Sequence, residues 1–289
     1  MAFQSVQHLT VRANGIRQHY LDAGSGPPVV LLHGFPETSF AWRHQIPALT
    51  QSFRVIAPDL RGYGETDKPA SGYDKRTMAN DLVALLNELK VPKIALVGHD
   101  RGARVATRFA KDHPDLLDRL VIMDNVPTRI VSRSMNAQIA RAYWFFTFHL
   151  VSDLPEALIV GREEIWLRHF FSNWCCNPHT IAGADFNHYV AAYQAPGAVR
   201  GALADYRATA EDNEQDLVDA DVRISCPVLS LWGADFDAVG KTFDMASVWA
   251  EMASDLRAIP IEQCGHLPHE EQPEVVNRLL IEFLKGWNG

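Results

Sequence analysis

Five short apolar runs constrain the fold of this chain more than any other feature of its sequence. They lie at residues 28–32, 53–57, 93–97, 119–123 and 227–231. Apolar residues dominate these runs without regular alternation, so each run suits a β-strand buried on both faces, as parallel strands are. Helix-like segments separate most of the runs. The pattern predicts an α/β protein with a mostly parallel sheet and flanking helices.

Further elements are expected at both ends of this pattern. Two alternating stretches, 5–12 and 16–22, flank Ala-Asn-Gly and predict an antiparallel hairpin that starts the sheet. Segment 76–89 has apolar residues at helical spacing, segment 101–111 directly follows a strand, and segment 273–284 opens with proline. These three segments predict helices.

The alternation of strands and helices breaks in the middle of the chain. Between residues 128 and 221, helical segments rich in Trp, Tyr, Phe and His follow one another without a convincing strand. A long insertion at the carboxyl edge of a parallel sheet is typical of an active-site lid. We predict a helical cap at 128–221, inserted into a core formed by 1–127 and 222–289.

Charge and composition exclude several classes of partner. The formal net charge of −8 gives no basic field for nucleic acid, which is therefore not an expected partner. The first residues lack the pattern of a secretion signal, and no apolar run reaches the length of about 18 residues that spans a bilayer, so we expect a cytoplasmic protein without membrane contact. The four cysteines lack disulfide spacing, and no Cys/His cluster has zinc spacing. Neither a metal nor a cofactor is expected, because two carboxylates, an imidazole, backbone amides and water supply every proton and charge that the expected chemistry requires.

The turn at residues 98–102 carries the strongest chemical signal. It reads Gly-His-Asp-Arg-Gly and joins a predicted strand to a predicted helix. A turn this sharp strains its central residue, and small neighbours let that side chain project near the positive end of the helix. We therefore predict that Asp100 is a nucleophile. Taken alone, the pattern also suits an Asp that caps the helix of an ordinary turn.

A second motif agrees with this prediction. His-Gly-Phe-Pro at 33–36 follows the first predicted parallel strand. In enzymes with a nucleophile elbow, this loop supplies one backbone N–H to the oxyanion hole, and the residue after the nucleophile supplies the other. We predict the backbone amides of Phe35 and Arg101 in these positions.

The sequence resembles α/β-hydrolase fold enzymes throughout, including the segment Asp-Leu-Arg-Gly-Tyr-Gly-Glu-Thr-Asp-Lys-Pro at 59–69. Within that family it resembles the fluoroacetate and haloacetate dehalogenases, whose elbow Gly-His-Asp-Arg-Gly-x-Arg is matched by residues 98–104. The resemblance implies an α/β-hydrolase fold and hydrolysis of carbon–halogen bonds. It also allows for a homodimer, since the family commonly forms dimers.

An aspartate nucleophile restricts the reaction class. A carboxylate that attacks an ester would form an anhydride, whereas attack on a saturated carbon bearing a leaving group forms a stable ester. The expected chemistry is displacement followed by hydrolysis of the enzyme ester. Dehalogenation and epoxide opening are the ordinary reactions of this kind.

The catalytic base and the acid that orients it are expected at positions that directly follow the later strands of the sheet. His266 follows the predicted last strand, 256–261, and is the expected base that activates water. Asp124 ends one strand, whereas Asp235 and Asp237 end the next, and hydrolases place the acid at either position. The resemblance favours Asp124, and the other two also suit a turn.

Two arginines point to the substrate. Arg101 and Arg104 lie three residues apart in the first helical turn after the nucleophile, where further positive charge does not stabilise the helix. We expect both guanidiniums to bind the carboxylate of a small acid substrate, the role that the resemblance also implies. Alternatively, Arg104 pairs with a cap carboxylate or faces solvent.

The resemblance implies that a His-Trp pair and a Tyr in the cap bind the departing halide. Tyr206 matches the tyrosine. Phe145 and Phe146 stand opposite the His-Trp pair and cannot donate a hydrogen bond. Either Trp144 supplies the donor, with Trp174 and His149 as other candidates in the cap, or the pocket works with fewer donors. We predict a hydrolytic dehalogenase of short 2-haloacids that releases chloride or bromide rather than fluoride.

Two other functions stay open. An epoxide hydrolase would use the same Asp and His, with Tyr143 and Tyr206 protonating the epoxide oxygen, but a neutral epoxide gains nothing from two arginines. A receptor for small acids on a hydrolase scaffold is the non-catalytic alternative. The presence of both Asp100 and His266 argues against it.

Overall fold

The structure, a computed structural model, describes residues 6–287 and 289. Within this range the strands are β1 (Gln7–Ala13), β2 (Ile16–Gly24), β3 (Pro28–Leu32), β4 (Arg54–Pro58), β5 (Ile94–His99), β6 (Leu117–Met123), β7 (Val228–Gly233) and β8 (Leu256–Ile261). They form one sheet in the order β1-β2-β4-β3-β5-β6-β7-β8. β2 runs antiparallel to both of its neighbours, and the remaining pairs are parallel.

Helices cover the sheet and form the insertion. Those of the core are α1 (Ile46–Leu49), α2 (Lys75–Glu88), α3 (Asp100–Asp112), α12 (Met245–Ala250), α13 (Pro268–Glu271) and α14 (Pro273–Leu284). Those between β6 and β7 are α4 (Thr128–Ser134), α5 (Ala137–Ala142), α6 (Trp144–Leu150), α7 (Leu154–Ile159), α8 (Glu163–Trp174), α9 (Gly183–Gln194), α10 (Ala198–Arg207) and α11 (Thr209–Val218).

Strand β3 shows why the predicted strands read as continuous apolar runs. Its side chains alternate between the faces of the sheet. Val30 and Leu32 join the apolar cluster of α2 and α3, whereas Val29 and Leu31 join that of α1 and α14. Because both faces are covered, every position of the strand must be apolar.

The predicted α/β architecture, with a mostly parallel sheet and flanking helices, is confirmed. The predicted strands 28–32 and 256–261 and the predicted helix 273–284 have the predicted bounds, whereas the bounds of the other predicted elements differ by one to a few residues. Residue 5, the expected start of the hairpin, lies outside the described residues. The domain limits stay a prediction, although the helices of the insertion begin at Thr128 and end at Val218. Among the described residues, no helix has both the length and the apolarity to cross a membrane.

Candidate active site

The turn between β5 and α3 holds Asp100 in a strained conformation. Its φ of +45° lies in the left-handed region, which residues other than glycine seldom adopt. A Cβ on Gly98 would lie 2.7 Å from the Cα of Ala103, and one on Gly102 would lie 2.4 Å from the carbonyl oxygen of Leu32. Both glycines are therefore needed for helix α3 to approach the sheet this closely.

Asp100, His266 and Asp124 meet at the carboxyl edge of the sheet. His266 Nε2 lies 3.7 Å from Asp100 Oδ2, and His266 Nδ1 lies 2.5 Å from Asp124 Oδ2. The other oxygen of Asp124 accepts the backbone N–H of Gly233 at 2.9 Å. Burial raises the pKa of Asp124, although the hydrogen bond with His266 opposes this shift. The hydrogen bond between Nδ1 and Asp124 thus fixes the imidazole so that its Nε2 faces the Asp100 carboxylate.

The three acids considered as the partner of His266 occupy different surroundings. Asp235 and Asp237 are exposed, and Asp237 lies 3.0 Å from Lys241 in an ion pair at the surface. Asp124 is buried against His266. The geometry therefore supports Asp124 as the orienting acid.

One backbone amide already contacts the nucleophile. The N–H of Phe35 donates to Asp100 Oδ1 at 2.9 Å. This contact leaves Oδ2 on the side of His266 as the oxygen that can attack a substrate. If Oδ1 becomes the carbonyl oxygen of an ester, the Phe35 amide is in place to stabilise the negative charge that forms on it when water adds. The amide of Arg101 stays a predicted second donor.

The Arg101 side chain does not face the substrate space, which corrects the predicted pair of carboxylate-binding arginines. Its Nε and Nη2 donate to the two carboxylate oxygens of Asp205 at 3.0 and 2.6 Å. Asp205 also accepts from Lys75 at 2.5 Å and from Tyr63 at 2.7 Å. Arg101 and Asp205 are both fully buried. The guanidinium of Arg101 thus already has a carboxylate partner, supplied by helix α10.

The Arg104 side chain, in contrast, lines the cavity beside Asp100. Its Nη1 donates to the hydroxyl of Thr128, its buried Nε has no hydrogen-bond partner, and it forms no ion pair within the described residues. Burial lowers the pKa of Arg104, and the charge of Arg101 adds to this shift. Arg104 is therefore a buried cation that forms no ion pair with a carboxylate of the described chain, although the charge of Asp100 acts on it.

The aromatic residues of the cap take positions that the sequence predicted only in part. Tyr143 lines the cavity. Tyr206 packs against Phe35 and Phe146, with ring centroids 5.2 and 5.1 Å away, and its buried hydroxyl has no hydrogen-bond partner among the described residues. Trp144 is 40% exposed and does not line the cavity. The prediction of Trp144 as a substrate ligand is corrected accordingly. Tyr206 does not line the cavity either, although its ring packs against Phe146 of the cavity wall, and its role as a substrate ligand stays a prediction.

The two phenols keep their protons at neutral pH. Burial raises the pKa of Tyr143, and the charges of Asp124 and Asp100 raise it further. Burial likewise raises the pKa of Tyr206 well above its usual value, and Asp100 again contributes. Each hydroxyl therefore keeps a proton with which it can donate a hydrogen bond, and Tyr143 lines the cavity beside Asp100.

The cavity beside Asp100, called the Asp100 cavity below, is small and largely apolar. Its volume open to the centre of a water molecule is about 20 Å³, which holds roughly one water. Phe145 and Phe146 are part of its wall together with Trp174 and Phe236. Side chains of the wall must therefore move when a substrate binds. The phenylalanines of the wall cannot donate a hydrogen bond to a leaving group.

The sequence did not predict a buried hydrogen-bond network that lies next to His266. Glu37 contacts His99 Nδ1 at 2.8 Å and His269 Nε2 at 2.9 Å, and His99 Nε2 donates to the backbone oxygen of His266 at 2.8 Å. These residues are fully buried. Spacing along the chain gives no sign of them or of Asp205. The one hint is their position beside predicted site residues, since His99 precedes Asp100 and Asp205 precedes Tyr206.

Comparisons with known proteins identify the family of this chain. The chain matches the alpha/beta hydrolase fold family over residues 27–273. It is 36% identical to a soluble epoxide hydrolase from Corynebacterium sp. over 96% of this chain and 97% of that protein, and 31% identical to a fluoroacetate dehalogenase from Burkholderia sp. over 98% and 95%. The solved structure of the epoxide hydrolase CorEH superimposes with a TM-score of 0.92 at 36% identity, covering 97% of this chain and 99% of that one. The chain therefore belongs to the alpha/beta hydrolase fold family.

Proposed function

We propose that this protein hydrolyses small epoxides to 1,2-diols. Asp100 Oδ2 attacks an epoxide carbon, the carbon–oxygen bond breaks, and the released oxygen takes a proton from a tyrosine hydroxyl. The product of this half-reaction is an ester between Asp100 and the substrate.

The second half-reaction uses His266. The imidazole removes a proton from water as that water adds to the ester carbonyl carbon, and Asp124 stabilises the imidazolium that forms. The Phe35 amide stabilises the charge on Oδ1. Collapse of this intermediate breaks the bond to the diol, whose oxygen takes the proton from His266. The carboxylic acid that this leaves on Asp100 gives its remaining proton, through solvent, to the tyrosinate of the first half-reaction, which restores both the carboxylate and the phenol.

The observation that carries this proposal is the protonated phenol of Tyr143 in the Asp100 cavity, with a second phenol, Tyr206, packed against Phe146 of the cavity wall. Tyr143 lines the Asp100 cavity, and the Tyr206 hydroxyl is buried without a partner in the described chain. An epoxide oxygen needs such acids as its bond to carbon breaks. The ion pair of Arg101 with Asp205 also removes one of the two features that favoured an acid substrate. The epoxide hydrolases among the similar proteins support the same proposal.

An assay of two substrates tests this function directly. Styrene oxide represents the neutral epoxides and chloroacetate the 2-haloacids. We expect formation of the diol from styrene oxide to exceed release of chloride from chloroacetate. Turnover of chloroacetate with no hydrolysis of styrene oxide or of a smaller aliphatic epoxide would contradict the proposal.

The tyrosines provide a more specific prediction. The change Tyr143→Phe removes a phenol but no ring, and we expect it to lower kcat on styrene oxide by about 10²-fold, the usual contribution of a general acid. Tyr206→Phe should have a similar effect. Tyr73→Phe is the matched control, because Tyr73 donates to the carbonyl of Pro69 and lies outside the Asp100 cavity. Full activity of the double variant Tyr143→Phe, Tyr206→Phe would rule out proton donation by these phenols.

Dehalogenation of short 2-haloacids is the second candidate, and Arg104 is the observation that favours it. A buried guanidinium without a carboxylate partner in the described chain can bind the carboxylate of an acid substrate. The fluoroacetate dehalogenase among the similar proteins agrees with this reading. Tyr143 and Tyr206 would then bind the halide.

Replacing Arg104 separates the two candidates within one protein. We expect Arg104→Leu to lower kcat/KM on chloroacetate at least about 30-fold, as loss of a buried charge pair costs about 2 kcal/mol or more. Styrene oxide, which is neutral, is the internal control and should lose much less. An unchanged kcat/KM on chloroacetate would show that Arg104 does not bind the substrate.

A further inference from the structure

Two histidines and a glutamate meet outside the Asp100 cavity, at the edge of the sheet. His8 lies on β1, His19 lies on β2, and Glu65 lies in the loop after β4. One ligand atom from each residue lies within 4.8 Å of the others. We propose that these three residues, the hairpin cluster, bind a divalent first-row metal ion of the zinc(II) type through both imidazoles and the carboxylate.

The spacing of the two imidazoles suits two ligands of one metal. His8 Nδ1 lies 3.2 Å from His19 Nε2. A zinc ion about 2.0–2.1 Å from each nitrogen would bind them at an angle of about 100°, near the tetrahedral value. The sheet produces this spacing. His8 pairs with Leu21 and Thr10 pairs with His19, so the two histidines are diagonal neighbours on one face of the hairpin.

Asp59 orients the hairpin cluster through its contacts with His19 and with the backbone of Glu65. Its Oδ2 lies 2.7 Å from His19 Nδ1 and accepts the backbone N–H of Glu65 at 2.9 Å, while its Oδ1 accepts the backbone N–H of Ser39 at 2.7 Å. With the proton on Nδ1 donated to Asp59, the lone pair of His19 Nε2 faces His8. A carboxylate that orients a histidine in this way is the usual support of a metal ligand.

The hairpin cluster opens onto a groove with a volume of about 480 Å³. All three residues line this groove, together with Phe40 and His188, whose rings stack with centroids 4.0 Å apart. Three protein ligands leave a tetrahedral metal with one open position, which water or a small ligand can occupy from the groove. None of the three residues lines the Asp100 cavity, so this site is separate from the proposed hydrolysis.

The sequence predicted no metal site, because its histidines and cysteines lack zinc-ligand spacing. Only the pairing of β1 with β2 and the loop after β4 bring these ligands together. A direct hydrogen bond between the two imidazoles would account for the 3.2 Å distance equally well. In that case the cluster would have no affinity for metal.

Metal titration of the untagged protein distinguishes these alternatives. Zinc chloride is added to protein freed of metal by a chelator and followed by calorimetry, and cobalt(II) is added in parallel because its visible absorption reports tetrahedral coordination. The Cys176→Ser background is used, since the exposed thiol of Cys176 can itself bind zinc. We expect one ion per chain, and a higher Tm when zinc is present.

The variants identify the ligands. His8 is exposed, so His8→Ala should fold normally, as its circular dichroism without metal would show. We expect His8→Ala to weaken zinc binding at least about 10-fold and to abolish the tetrahedral cobalt spectrum. Glu65→Gln should also weaken binding, whereas His179→Ala, an exposed histidine elsewhere, should not. Absence of zinc binding by the parent protein, or equal binding by His8→Ala, would overturn the proposal.

Discussion

Replacing His266 with Asn is expected to stop the reaction after its first half and to leave the substrate bound to Asp100 as an ester. Attack by Asp100 does not need His266, whereas removal of a proton from water does. The loss of this base should lower kcat at least about 10⁴-fold, as in other enzymes whose catalytic histidine is removed. Stopped turnover with an accumulating ester is the pattern expected of the two-step mechanism.

Mass spectrometry of the His266→Asn protein measures this ester and its identity. An epoxide adds its entire mass to Asp100, whereas a haloacid adds its mass less that of the hydrogen halide. The adduct therefore also distinguishes the two proposed functions. A peptide containing Asp100 should carry the adduct, and the same peptide from Asp100→Asn protein should not.

The control for this experiment is His179→Asn, a change at an exposed histidine. It should turn over normally and show no adduct. A His266→Asn protein with the activity of the parent would contradict the role of His266. A folded His266→Asn protein that forms no adduct with either substrate class would instead favour a non-catalytic binding protein.

The core and the Asp100 turn could be predicted from the sequence because their signals are local. The strands are continuous apolar runs, and the Gly-x-Asp-x-Gly pattern lies within five residues. His266 was identified by its place after the last strand, and the structure puts its Nδ1 2.5 Å from Asp124. These features depend on short stretches of chain and on the order of elements in the sheet.

The substrate side of the site could not be predicted in the same way, since it depends on contacts between distant segments. Arg101 and Arg104 share one helical turn, yet only Arg101 meets Asp205 of α10. Tyr143 and Trp144 are neighbours in sequence at the start of α6, yet Tyr143 faces the cavity and Trp144 faces solvent. Which neighbour turns inward is decided by how the cap packs on the core.

The substitution Glu37→Gln is expected to destabilise the fold by about 3–5 kcal/mol, the usual cost of removing one partner of a buried ion pair. Burial alone would raise the pKa of Glu37, but His269 and His99 outweigh burial and lower it well below its usual value. Burial alone would lower the pKa of His99, but Glu37 outweighs it and raises this pKa to about 9. At neutral pH the two residues therefore form a buried ion pair, and the neutral amide leaves His99 without its anion.

The dependence of stability on pH provides a second measure of the same pair. The pKa of His99 is about 9 in the folded protein and about 6.5 in an unfolded chain. Its stabilising contribution is therefore complete below pH 6.5 and is lost as the pH rises through 9. Glu37 acts in the opposite sense, because its contribution is present above its ordinary pKa of 4.5 and is lost as the pH falls through its lowered pKa.

Urea unfolding between pH 6.5 and 9 tests both expectations. The free energy of unfolding of the parent should fall over this range by up to about 1.4 kcal/mol per pH unit for one proton, and Glu37→Gln should lose most of this slope. Glu164→Gln is the control, since exposed Glu164 forms a surface ion pair with Arg168 and its loss should change stability by no more than about 0.5 kcal/mol. If Glu37→Gln matched this control in stability and kept the slope of the parent, His99 would not be charged in the folded protein. The position of His266 would then depend on a neutral hydrogen bond from His99 instead of on a buried ion pair.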